Sequence, residues 1–139
     1  MTDTTRTDPV FDAIFTFNEQ IIGTEAVPLN TLSDGQFEWT TTAYEEEIDE
    51  LISAREKQDL VGMVDATLDL IYFAVGTLKK LGLTREQAYA CMMAVNDANM
   101  TKRKGKVAAR GNNAEDAVKP EDFVPPEQAI GAIIFEGNG

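Results

Sequence analysis

Residues 44–54 read YEEEIDELISA, with five carboxylates in the six positions from Glu45 to Glu50. Nothing in the stretch breaks a helix, and Tyr44, Ile48, Leu51 and Ile52 recur at helical spacing. At 100° per residue with Tyr44 at zero, Ile48 falls at about 40° and Leu51 at about 340°, so the spacing predicts that these residues form the buried stripe. Glu47, at about 300°, borders that stripe, with Glu50 at about 240° and Glu46 at about 200°. A carboxylate at the edge of a core is costly to desolvate unless something positive compensates it.

On the C-terminal side, Gln58 and Asp59 mark a break, and the next helix carries LDLIYFAVGTL, residues 68–78, before Gly82 ends it. This stretch is apolar nearly all round, which predicts a helix at the centre of the domain. Asp65 and Asp69 lie four residues apart on one face of it, and Asp69 is the single charge between Thr67 and Leu78. Two antiparallel helices that each present carboxylates make an oxygen-rich cage, the donor set preferred by Mg²⁺ or Mn²⁺. The plainer alternatives are a solvated acidic face for residues 45–50 and local hydrogen bonding for Asp69. A lone aspartate in so apolar a run is harder to explain that way.

On the N-terminal side, Ser33 with Gln36 forms a capping-box signal for the acidic helix, which runs to about Lys57. Asp8 and Pro9 open an earlier helix with a broad apolar face, closed by Gly23. Thr84 with Gln87 opens a fourth that reaches about Lys102. The fold class is therefore all-α: a four-helix bundle over 8–102, a disordered N-terminus over 1–7, and a C-terminal arm over 103–139. The arm is polar to about residue 123, turns at Pro125 and Pro126, and ends in AIGAIIF, residues 129–135.

Composition narrows the chemistry. The 139 residues carry a net charge of −12, which disfavours binding to nucleic acid and suits a divalent cation. There is no histidine, so catalytic triads and histidine-ligated zinc drop out and carboxylates remain. The single cysteine, Cys91, reads as a buried core thiol in a reducing, cytoplasmic setting. The N-terminus lacks the pattern of a signal peptide, and no apolar run is read as long enough to span a bilayer.

The residues resemble the MazG-like, all-α nucleoside triphosphate pyrophosphatases, related to phosphoribosyl-ATP pyrophosphohydrolase, whose motif is EExxE, a spacer, then ExxD. Glu46, Glu47 and Glu50 match the first half and Asp69 the final aspartate. Where that family has glutamate three residues before the aspartate, this chain has Ala66, and Asp65 is the nearest substitute. GTLKKLGL, residues 76–83, the Asn99–Lys102 segment and the double proline resemble a subgroup common in bacteriophage genomes. The resemblance implies Mg²⁺-dependent cleavage between the α and β phosphates. Glu46, Glu47, Glu50, Asp69 and Asp65 would hold metal, with Glu46 or Glu47 as general base. It also implies a homodimer or homotetramer. Its MazZ branch, similar in size, points to dGTP or GTP as substrate in phage nucleotide-pool remodelling, in the host cytoplasm. A dUTP, dCTP or non-canonical triphosphate house-cleaning enzyme is the alternative within the same chemistry. An acidic, non-enzymatic DNA mimic is the alternative outside it.

A triphosphate also needs cations and a base contact. Lys102, Arg103, Lys104, Lys106 and Arg110 put five positive charges in nine residues, with Lys102, Lys104 and Arg110 the phosphate candidates and Lys102 foremost, since it falls in the resembling segment. Asn99 offers amide groups for phosphate, sugar or base. Trp39, Tyr72 and Phe15 are the stacking candidates, and Asn18 the reader of a base edge.

Overall fold

In the computed structural model, residues 5–111 and 115–136 are described, so part of the expected disordered N-terminus, residues 1–4, lies outside them. Helix α1 spans Pro9–Phe17, with Asp8 accepting from the Val10 and Phe11 amides. It runs on as a π-helical turn, Asn18–Ile22, closed by Gly23 at φ 82°. Helix α2 spans Asp34–Glu56, and both halves of the Ser33–Gln36 capping box form. Gln58 at φ 54° turns the chain, Asp59 caps the Gly62 amide, and α3 runs over Leu60–Lys80. Helix α4 spans Arg85–Asn99, its start fixed by the reciprocal bonds between Thr84 and Gln87. The fold is all-α, as the punctuation predicted.

The chain divides into two compact units, Thr7–Ala88 and Tyr89–Gly139, the latter joined by Met1–Arg6. The first holds α1 to α3 and the opening turn of α4. Within it α3 packs along α2 and also meets α1, so it is the shared partner of both. The second contains the rest of α4, an antiparallel pair of strands, β1 (Arg103–Gly105) and β2 (Asp116–Val118), and helix α5 (Glu127–Gly131), which continues as a π-helical turn through Glu136. Cys91 is buried, and burial pushes its thiol pKa up.

Three expectations are corrected. The α2 stripe expected to be buried is turned partly outward: Tyr44 and Leu51 are half-buried, but Ile48 is 45% and Ile52 52% accessible. The buried face consists instead of Thr40, Ala43, Glu47 and Ala54. Small residues let α2 lie close to α3, with Ile48 and Ile52 left outside, while the Tyr44 hydroxyl still meets that of Thr77 on α3 at 2.6 Å. Helix α3 is not enclosed either; Ala66, Val75, Gly76 and Lys79 are buried, while Leu60, Val61, Val64, Leu68 and Ile71 are exposed. Two neighbours cannot cover the circumference of a helix that is apolar nearly all round. Finally, at 21 residues α3 is long and apolar enough to cross a membrane by length and composition alone, contrary to the sequence reading. Asp65 and Asp69 within it would be costly in lipid.

Candidate metal centre

Glu47 projects from the buried face of α2 and is 7% exposed. Its Oε2 has no hydrogen-bond partner. Carboxylate oxygens of Glu47, Glu50 and Asp69 all lie within 4.8 Å of one another. Spacing explains the meeting: Glu47 and Glu50 are one turn apart on α2, and the α2–α3 hairpin brings Asp69 opposite them. Among the described side chains, no lysine or arginine forms an ion pair with any of the three.

The electrostatics record the crowding. Burial, a hydrogen bond shared with Glu50, and the negative charges of Glu50, Asp69 and Asp65 push the Glu47 carboxyl up to about 7. Burial and the charges of Asp65 and Glu50 also raise Asp69. Like charges this close stay ionised together only if a cation enters among them. An all-oxygen donor set with one buried, unpartnered oxygen fits a hard divalent ion.

A profile of the family described as phosphoribosyl-ATP pyrophosphohydrolase matches residues 16–99. The chain belongs to that family. It is thereby a member of the MazG-like all-α superfamily, whose chemistry is pyrophosphohydrolysis and which generally depends on divalent metal. No curated protein matches the chain. The match spans α2, α3 and α4 in full and only the last two residues of α1.

Of the residues singled out by sequence, Glu47, Glu50 and Asp69 come together, and Asp65 is exposed but close enough for its charge to act on both Glu47 and Asp69. Ala66, which stands where the motif has glutamate, is 1% exposed and is a core residue in this member of the family. Glu46 is outside the group of three. It lines a neighbouring cavity of about 430 Å³ together with Glu38, Trp39, Thr42 and Phe73. Asn18 is buried, donates to the Ile14 carbonyl at 2.8 Å and packs at Gly76. Tyr72 meets Phe17 edge to face at 5.2 Å. Phe15, 2% exposed, is core and offers no face to a base.

In the second unit, Asn99 ends α4 with its side chain exposed. Lys102 Nζ lies 5.6 Å from the centre of the Phe123 ring. Lys104 pairs with Glu115 at 2.6 Å and Arg110 with Asp116 at 2.7 Å, so two of the five clustered cations are neutralised by the strand hairpin itself. The sequence reading passes over Glu38, Thr42, Phe73 and Lys80. One signal was available for the first two: Glu38, Thr42 and Glu46 recur every four residues along α2.

Proposed function

We propose that this chain hydrolyses a nucleoside triphosphate between its α and β phosphates, giving a nucleoside monophosphate and pyrophosphate, with dGTP or GTP as substrate and Mg²⁺ as the metal. The observation that carries the reading is the meeting of Glu47, whose buried Oε2 has no hydrogen-bond partner, with Glu50 and Asp69. Glu47, Glu50 and Asp69 would hold the ion, with Asp65 adding charge at the edge. A divalent cation bound there would neutralise phosphate charge and acidify the attacking water. With no ion bound, burial and the neighbouring carboxylates hold the Glu47 carboxyl at about 7, so an ion entering there would displace its proton. The guanine preference rests on the resemblance to the MazZ branch.

Carboxylates turned toward one another inside the hairpin do not form the outward, duplex-like array that a DNA mimic needs. The exposed apolar faces of α2 and α3 support assembly as a dimer or a pair of dimers, since contiguous apolar surface of this kind marks an interaction site. Pyrophosphate release from a panel of dGTP, GTP, dUTP, dCTP and phosphoribosyl-ATP, with Mg²⁺ and with chelator, tests the reaction. Metal-dependent release that is fastest with the guanine nucleotides is expected. Preference for dUTP or dCTP refutes the substrate, and activity unaffected by chelator refutes the metal.

A further inference from the structure

The cavity beside the metal centre has a composition the metal chemistry does not use. Trp39 is half exposed. Lys80 Nζ sits 3.4 Å over the centre of its ring, and Phe73 meets it edge to face at 5.8 Å. Trp39 and Phe73 both line the cavity, and Lys80 does not. The indole is thus held by Lys80 and Phe73 while half of its surface stays exposed. The polar lining is Glu38, Thr42 and Glu46, and it contains no arginine, lysine or amide side chain.

We infer that this cavity takes the base of the nucleotide, stacked on Trp39, and that its carboxylates select guanine through adjacent N–H donors, with Glu46 reading the base rather than holding metal. This rests on the pyrophosphohydrolase reading. A volume of about 430 Å³ lies within the range of small-ligand pockets. Position agrees as well. Glu46 is one helical turn from Glu50 on α2, and Phe73 is one turn from Asp69 on α3, about 6 Å along each axis. Trp39 is seven residues from Glu46, about 10 Å. A base on Trp39 therefore leaves room for its sugar and phosphates to extend toward the three clustered carboxylates.

The donor and acceptor pattern gives the selectivity. An ionised carboxylate only accepts. Guanine presents N1–H and its 2-amino group side by side, matching the two oxygens of one carboxylate. Uracil offers a single N3–H flanked by two carbonyl oxygens that the carboxylate would repel, and hypoxanthine lacks the 2-amino donor. A site built to satisfy a hydrogen-bonding group rejects the analogue without it.

Trp39 is the only tryptophan in the chain, so its fluorescence reports on this cavity alone. The intact protein is titrated with dGMP, dIMP and dUMP, and pyrophosphate release from dGTP and dITP is measured for wild type, Trp39→Ala and Glu46→Gln, with Mn²⁺ affinity followed in parallel. Quenching by dGMP with at least tenfold tighter binding than dIMP or dUMP is expected. Trp39→Ala should raise KM for dGTP at least tenfold with a much smaller change in kcat. Glu46→Gln should reduce the preference for dGTP over dITP with Mn²⁺ affinity unchanged. Absence of quenching by every mononucleotide, or unchanged KM in Trp39→Ala, overturns the base site; loss of Mn²⁺ affinity in Glu46→Gln overturns the role of Glu46. Quenching by dGMP without pyrophosphate from any triphosphate overturns the reaction and leaves the base site standing.

Discussion

Glu47 is the residue on which the metal centre turns. Its carboxyl is held at about 7 against an ordinary 4.5, so the fold disfavours its charged form. The stability linked to it is complete below pH 4.5 and is lost as pH rises through about 7. Metal-free protein should therefore lose several degrees of Tm between pH 5 and 8, and Glu47→Gln should flatten that slope; thermal unfolding across this range, with chelator, checks it. Mg²⁺ or Mn²⁺ should restore the loss in wild type and have little effect on the variant. In activity, Glu47→Gln or Asp69→Asn should reduce metal-dependent pyrophosphate release by about 100-fold or more while the circular dichroism spectrum stays helical. Full activity in either would remove the case for this site. Glu47, Glu50 and Asp69 were legible in the sequence because spacing on two helices is enough to bring them together. The position of Glu46 was not, since the cavity it lines is completed by Phe73 from another helix.

The elements were legible where side chains punctuate them. Asp8 with Pro9, Ser33 with Gln36, Asp59, and Thr84 with Gln87 each satisfy helix-end amides, and Gly23 and Gly82 supply the left-handed φ that ends a helix. Gly82, at φ 96°, also passes so close to the preceding loop that a Cβ would lie 2.6 Å from the Pro28 carbonyl oxygen. Gly82→Ala should cost about 1–3 kcal/mol, measured by denaturant unfolding, with pyrophosphate release by the folded fraction preserved. Two features escaped the sequence. The π-helical turn at Asn18–Ile22 leaves the apolar pattern intact while changing the winding. The direction of the α2 stripe was misjudged because a helical wheel ranks residues by apolarity, whereas the packing favoured Thr40, Ala43 and Ala54, which allow close approach.

At the scale of the whole molecule, α2 and α3 leave apolar faces open to solvent. Leu68 and Ile48 stand exposed on α3 and α2. If these faces join two copies, Leu68→Asp should shift the protein toward monomer in analytical ultracentrifugation, whereas Lys106→Ala on the arm should not. A wild-type monomer at high protein concentration would reject the assembly. The net charge of −12 opposes bringing two copies together, so salt should favour assembly by screening.

That exposed helix also bears on how the chain survives dilution. A three-helix unit with much of its longest apolar segment uncovered has less of its core inside one chain than its length permits. If those faces pair two copies, folding and pairing become a single equilibrium, and the unfolding temperature becomes a function of how many molecules share the volume. At the low copy number of an early moment in expression, such a chain would be at its least stable, and each newly made copy would protect those already present.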